Sequence, residues 1–406
     1  MGIVDKIFSY KIYAKDDVAV RLIVLFGIKI KFTIYKPLFN EKVCRHLGFK
    51  TLLFIRDDGI GDFILDMPYM KYLKTSKKYN GYKLILAGTP AIIELAQKYL
   101  DNYIDEYMVL DFKNLKSLRK FAKKLSFSTL INPIDAKVNS VANTLANLVR
   151  AKEKICHKGF FSRYDIRKFG KRITKVINNY TEVIDTGDEI MLVRDRCKLF
   201  FEKLLGEKLP AAKLLCDLQN SEPDISSEYV IVSPFSRSNL RTYSQENFAK
   251  IIDYLTERIK LPVIIVGSRG EIKKAQEIKE LCKNLNLVYN QAGKFSLSES
   301  IQYIKHAKLL VANETGTVHI AQNYRVNTIC ISNGSYMNTF QPYPKEESYI
   351  TYVYPDNIYE YIAKNNNEGY EMEYDINNIN PKKVINAIEE VLEQENTKSN
   401  KDFCLL

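Results

Sequence analysis

Lys308-Leu-Leu-Val-Ala-Asn-Glu-Thr-Gly-Thr-Val-His-Ile-Ala-Gln-Asn-Tyr-Arg-Val-Asn-Thr-Ile-Cys-Ile-Ser332 is the stretch whose reading decides the fold. It opens on an apolar run, Lys308–Ala312, passes through a polar loop into a helical pattern over Thr317–Asn323, and closes on a second apolar run, Asn327–Ser332. Continuous apolar runs that are too short for buried helices and flanked by loop residues are the mark of parallel strands covered on both faces. The stretch therefore reads as a βαβ unit. The same alternation extends upstream through strand Tyr229–Ser233, helix Gln245–Ile259, strand Pro262–Val266, helix Glu271–Leu285, strand Leu287–Tyr289 and helix Ser298–His306. It appears a second time earlier in the chain: strand Thr51–Ile55, helix Phe63–Lys74, strand Tyr82–Ala87, helix Ala91–Tyr99, then a lysine-rich helix over Leu115–Leu125, strand Ser128–Asn132 and helical residues 136–150. Residues 151–226 are the least legible, with a helix over Arg194–Leu205 and a polar, turn-rich linker at Ser221–Ser227. The pattern predicts an α/β protein with two Rossmann-like, doubly wound domains, residues 51–220 and 227–395, preceded by an extension over 1–50 and followed by a closing helix Pro381–Gln394 and a frayed tail over 396–406. In such sheets ligands bind in the crevice at the carboxyl ends of the strands, so the two domains are expected to face a cleft.

The 406 residues suffice for two cores. With 46% hydrophobic and 27% charged residues the composition is that of a globular protein, and no stretch reaches the roughly 20 apolar residues of a membrane-spanning helix. Seven scattered cysteines without paired spacing suggest neither a disulfide framework nor a zinc cluster, which fits a cytoplasmic protein, and no cleavable signal is evident. The formal charge of +12 attracts phosphate-bearing partners: nucleic acid, anionic lipid or nucleotide. Residues 1–50 hold ten Lys/Arg against four acids, half of that excess, beside the apolar run Val18–Ile28. This basic amphipathic extension suits peripheral attachment to an anionic membrane surface; the alternative is a buried helix or strand with solvated lysines. No motif for nucleic acid is present, and none is expected as partner.

Three loops carry candidate chemistry. In Arg56-Asp-Asp-Gly-Ile-Gly-Asp62 a strand turns into a helix, but Ile64 stands where a dinucleotide-binding glycine loop needs a small residue, and strand Tyr82–Ala87 ends in Gly88 rather than a ribose-binding acid. A nicotinamide enzyme is disfavoured. Asp62 at the helix start is suited to take a proton, or is simply a helix cap. In Asn313-Glu-Thr-Gly-Thr-Val-His319, the amides and the Thr315 and Thr317 hydroxyls at a helix start can cradle a diphosphate. Glu314 can accept from sugar hydroxyls, and His319 either reaches a phosphate oxygen or is a core histidine. The loop Ser233-Pro-Phe-Ser-Arg-Ser-Asn-Leu-Arg-Thr-Tyr-Ser244 brings Arg241, whose fork matches phosphate oxygens and can meet the charge of a departing diphosphate; a solvated loop arginine is the alternative. Gly267-Ser-Arg-Gly-Glu271 and Ala292-Gly-Lys294 are further strand-end turns able to line a base and ribose.

In order and spacing these segments resemble the heptosyltransferase-like glycosyltransferase family nine. Arg56 to Pro68 resembles its I-R-x-x-x-x-G-D-x-x-x-x-x-P signature, the Ser233 loop with Ser236 its N-P-G-x-S segment, and Asn313 to His319 its D-[ST]-G-x-x-H signature. The resemblance covers about residues 51–345. It implies the two-domain GT-B architecture and an inverting, metal-independent transfer of a sugar, heptose or a relative, from a nucleoside diphosphate sugar such as ADP-heptose to a saccharide or lipid-linked saccharide acceptor, as in lipopolysaccharide. It implies Asp62 as base, Arg241 at the position of the phosphate-binding lysine, donor contacts from Ser236, Gly267, Glu314, Thr315, Gly316, Thr317 and His319, and no cofactor or metal. Three departures stand out: Glu314 for the usual aspartate, Arg-Thr-Tyr-Ser244 for Lys-Arg-Trp-Pro, and Phe235 for the loop glycine. They leave open a hexosyltransferase, a sugar-nucleotide epimerase of the same fold, or a non-catalytic nucleotide-sugar binding protein.

Overall fold

The computed structural model describes residues 8–15, 18–25, 28–34, 50–110, 125–133, 141–159, 174–210, 228–364 and 374–403, together with Arg119, Ala122, Lys123, Gly170 and Lys171. The chain divides into two compact units, residues 1–189 with 194–212, and residues 190–193 with 213–406.

The first unit is built on a nine-stranded sheet. Its strands are β1 (Phe8–Lys15), β2 (Val18–Leu25), β3 (Ile28–Ile34), β4 (Lys50–Arg56), β5 (Tyr82–Gly88), β6 (Glu106–Val109), β7 (Ser126–Asn132), β8 (Arg150–His157) and β9 (Glu182–Ile184), in the order β3-β2-β1-β6-β5-β4-β7-β8-β9. From β6 to β9 all neighbours are parallel, and β4 lies between β5 and β7, the switch point of a doubly wound sheet. The centre of β4 shows why its run reads as continuously apolar: Leu52, Leu53, Phe54 and Ile55 are each at most 1% exposed. Helices α1 (Ile60–Thr75), α2 (Pro90–Tyr99), α3 (Val141–Leu148) and α4 (Val193–Leu205) belong to this part of the chain. Phe201 of α4 packs on Phe54 and Tyr69 at ring distances of 6.0 and 5.8 Å, so a helix far along the chain returns to cover β4 and α1.

The apolar run in the first fifty residues is strand β2, paired antiparallel with β1 and β3; β1 in turn adds parallel to β6. The extension thus continues the sheet at backbone level. Residues 136–140, most of the expected lysine-rich helix 115–125, and the linker 221–227 lie outside the described residues.

The second unit holds a six-stranded parallel sheet, β12-β11-β10-β13-β14-β15, made of β10 (Val230–Ser233), β11 (Val263–Ile265), β12 (Val288–Asn290), β13 (Leu309–Asn313), β14 (Thr328–Ile331) and β15 (Ile350–Val353). Its helices are α5 (Gln245–Tyr254), α6 (Ile272–Leu281), α7 (Leu297–Lys305), α8 (Gly316–Asn323), α9 (Ile358–Lys364) and α10 (Pro381–Phe403). The core joins Val230, Val232, Val263, Ile265, Leu309, Val311, Ile329 and Ile331 to Phe248, Ile252, Val384 and Ile388 of the covering helices. Burying each such side chain contributes about 1.5–3 kcal/mol before chain entropy is set against it. The closing helix extends to Phe403, past the frayed start expected at 395, because no proline or glycine interrupts the sequence there. Among the described residues no helix is long and apolar enough to cross a membrane.

Candidate active site

In the first unit the turn after β4 gathers acids around one arginine. Arg56 is 3% exposed and pairs with Asp58 at 2.7 Å and with Asp66, one and a half turns into α1. Burial alone would lower the Arg56 pKa, but the carboxylates of Asp58 and Asp66 outweigh it and hold the guanidinium above its ordinary value. Burial raises the Asp66 carboxyl despite Arg56 and the Cys197 thiol that donates to it, and raises Asp58 still further. The second oxygen of Asp58, Oδ1, is buried and has no hydrogen-bond partner. Asp57 points elsewhere: its Oδ2 accepts from the amide of Ala142 at 2.7 Å, which satisfies a donor at the start of α3, and burial raises its carboxyl too.

Asp62 is half-buried in the first turn of α1, and its Oδ2 accepts from the Gly59 amide at 3.2 Å. The helix-cap reading of Asp62 is thus realised by one oxygen. The cap also fixes the carboxylate beside the loop, in the first turn of α1.

In the second unit the loops singled out in the sequence leave the carboxyl ends of adjacent strands. Ser233 ends β10, Gly267 lies two residues beyond β11, and Asn313 ends β13; β10 and β13 are neighbours at the switch point. Asn313 is fully buried and ties two loops together, accepting from the Tyr243 amide at 3.2 Å and donating to the Pro234 carbonyl at 2.6 Å. Thr315 caps α8 in extended conformation, and its hydroxyl lies 2.8 Å from that of Thr317, which donates to Ser233 Oγ at 3.3 Å. Gly316 is the first residue of the helix. These hydroxyls and the amides of the first turn are of the kind that bind phosphate oxygens.

Arg241 ends a single 3₁₀ turn, Asn239–Arg241, and its Nη1 donates to Glu314 Oε2 at 2.7 Å and to the Glu314 carbonyl at 3.3 Å. Glu314 is 6% exposed. The two candidates therefore form an ion pair, which the sequence reading treated as separate. His319 is 4% exposed; its Nδ1 lies 2.8 Å from the Tyr343 hydroxyl, with the Phe340 ring 6.0 Å away. That hydrogen bond satisfies one nitrogen of a core histidine, the alternative left open above.

Ser236 is half-buried and accepts from the Ser238 amide at 3.4 Å. A Cβ on Gly267 would stand 2.8 Å from the Phe235 ring, so the aromatic residue that replaces the expected loop glycine packs on a position open only to glycine. Sequence reading passed over Asp58 and Asp66, which stand at the unspecified positions of the Arg56–Pro68 segment, and Tyr336 and Tyr343, which lie in turns without a motif.

Residues 163–358 match the family model for glycosyltransferase family 9 (heptosyltransferase). Over those residues, just under half of the chain, the sequence resembles glycosyltransferase family 9. The resemblance read from the loops, and the expectation of a glycosyltransferase, are borne out at that level. A curated relative from Haemophilus influenzae named "Putative glycosyltransferase" is 22% identical over 311 residues, 72% of this chain and 84% of its own. Among solved structures, the E. coli ADP-heptose lps heptosyltransferase II is similar with a TM-score of 0.62 at 15% identity, over 86% of this chain and all of that one. The E. coli heptosyltransferase WaaC with ADP gives 0.61 at 14% identity, over 84% and 99%. A family 9 glycosyl transferase from Veillonella parvula gives 0.59 at 17%, over 85% and 98%. At these identities the structural likeness speaks for the fold, two doubly wound α/β units as expected.

Proposed function

We propose that this glycosyltransferase moves a heptose or a related sugar from a nucleoside diphosphate donor to a saccharide of lipopolysaccharide or a similar surface glycan, with inversion and without a metal ion. The observation that carries the reading is the cluster at the switch point of the second unit: the Thr315 and Thr317 hydroxyls and Ser233, the helix start at Gly316, and Arg241 held by Glu314. In this reading an acceptor hydroxyl oxygen bonds to the anomeric carbon from the face opposite the leaving group, while the bond from that carbon to the diphosphate oxygen breaks. The hydroxyl proton passes to the Asp62 carboxylate, and the negative charge gathering on the nucleoside diphosphate is met by Arg241. Ser236, Gly267, Glu314, Thr315, Gly316 and Thr317 hold the donor, and His319 supports their helix from the core. The donor class also draws support from the similar E. coli structures, one of which holds ADP.

A thermal-shift panel of ADP, UDP, GDP and CMP with their sugar conjugates tests the donor class, since a ligand of the native state raises stability as its concentration exceeds Kd. Selective stabilisation by ADP and ADP-heptose is expected; selectivity for UDP or GDP would move the donor to a hexose, and no shift with any of them would sink the reading. Attachment to an anionic membrane surface is proposed from the charge of residues 1–50. Flotation with vesicles containing phosphatidylglycerol checks it, and protein that stays at the bottom of the gradient at low salt removes it.

A further inference from the structure

Resting on the donor reading above, we infer that Tyr336 is a positioning residue for the diphosphate: its ring holds the Arg241 guanidinium in place for the phosphate oxygens. Tyr336 lies in the loop that follows β14, with no motif to announce it. Its ring centroid is 5.1 Å from the Arg241 guanidinium carbon, over a cation whose Nη1 is already fixed on Glu314. Stacking on an aromatic face and pairing with a carboxylate are the two interactions a planar guanidinium makes best, and together they reduce the rotamers a long side chain would otherwise sample.

The backbone at this contact is strained. Tyr336 has φ +62°, the left-handed region that a bulky residue seldom enters. Several bonds hold it there: its carbonyl accepts from the amides of Thr339 at 3.1 Å and Phe340 at 2.9 Å and from the Thr339 hydroxyl at 2.8 Å. The loop is also tied to the turn that carries Arg241, because Asn333 Nδ2 donates to the Leu240 carbonyl at 3.1 Å. On its far side the Tyr336 ring meets Phe340 edge-on at 5.6 Å, and Phe340 in turn packs on His319. One aromatic wall thus runs from Arg241 to the buried His319. Backbone strain of this kind persists where the surroundings impose it, and glycine would relieve it. That a tyrosine stands there points to a use for the ring.

The strain also supplies the test. Tyr336→Gly keeps the left-handed backbone and removes the ring, and Tyr336→Phe keeps the ring and removes the hydroxyl. Affinity for ADP, UDP and GDP is measured by calorimetry on the full chain, beside Tm. The glycine variant is expected to melt no lower than wild type and to bind the preferred nucleotide about 5-fold more weakly, while the phenylalanine variant stays within roughly 2-fold. In an Arg241→Ala background the glycine substitution should add no further loss. Tyr336→Asn, which also tolerates the left-handed region, replaces the glycine variant should that one unfold. Wild-type affinity in the ring-less variants, or an equal loss with and without Arg241, overturns the inference while leaving the donor reading standing. Undiminished binding in Arg241→Ala alone overturns the phosphate role of Arg241, and this inference with it.

Discussion

The two units repeat one strand order, with three parallel strands stepping outward on each side of a switch point, yet the loops at those switch points carry opposite chemistry. After β4 the first unit places Asp58 and Asp66 on Arg56 with Asp62 close by, while Asp57 turns to the Ala142 amide. After β10 and β13 the second places hydroxyls, a helix start and Arg241 with one carboxylate, Glu314. The acids of the first loop are crowded and desolvated, so burial raises three of them, and an anion arriving there would add to the repulsion. The second loop is arranged to receive an anion. One scaffold thus serves two tasks, and the difference lies in a few loop residues at equivalent places. Transfer of a sugar from a diphosphate needs a proton acceptor and an anion site, and in the function proposed above Asp62 of the first unit and Arg241 of the second take these two parts.

The sharpest way to break this division of labour is Asp62→Asn. Asparagine's side-chain oxygen can still accept from the Gly59 amide as the third residue of the helix does now, so Tm should move little. It cannot take a proton, so turnover is expected to fall by roughly a hundredfold to ten-thousandfold, with nucleotide affinity retained because the proposed nucleotide site is built from the other unit's residues. Steady-state rates with a competent donor and acceptor, and calorimetry with the nucleotide, measure the two halves separately. A variant with full turnover would make Asp62 a cap alone and return the acidic loop to a structural role.

The loops of this comparison were legible in the sequence to very different depths. Apolar runs such as Thr51–Ile55, Tyr229–Ser233 and Lys308–Ala312 correspond to strands β4, β10 and β13 within a residue or so, because a strand buried on both faces leaves no polar gap. Strand β8, Arg-Ala-Lys-Glu-Lys-Ile-Cys-His, was not readable: its first half is largely solvent-exposed and charged, and only its last three residues are buried. Strands β6 and β9 each open on a glutamate, Glu106 and Glu182, and so lack the unbroken apolar run that marks the equally short β10 and β11. In the site, a loop that follows an apolar run at a helix start is a local signal, which is why Asp62, Thr315 and Gly316 could be picked out. The pairing of Arg241 with Glu314, of His319 with Tyr343 and of Arg56 with Asp66 is set by tertiary packing across 10 to 73 positions of chain, and spacing carries no trace of it.

The acidic character of the first loop can be sharpened further through pH, with a smaller effect. Asp58 is mostly buried, has one oxygen without a partner, and is pushed above its ordinary 3.8 by burial, with Asp62 and Asp66 adding to the rise and Arg56 opposing it. The folded protein therefore keeps the Asp58 proton at pH values where the unfolded chain has released it. With more protons bound in the folded state, stability falls as pH rises from about the ordinary carboxylate value through the raised one, and is level beyond it. Asp58→Asn removes that titration. It also removes the pair with Arg56, a loss that appears only as Asp58 ionises, and Asp66 remains to hold the guanidinium. Relative to wild type, the variant should gain on the side where the charge is penalised, so the difference in Tm, variant minus wild type, should climb by roughly a few degrees between pH 4 and pH 7. Thermal melts across that range measure it. A difference that stays flat would mean that Asp58 titrates as it does in the unfolded chain, and a difference that falls would mean that the Arg56 pair outweighs burial. Either result would make the first loop an ordinary ion-pair network, and the contrast between the units would then rest on Asp62 alone.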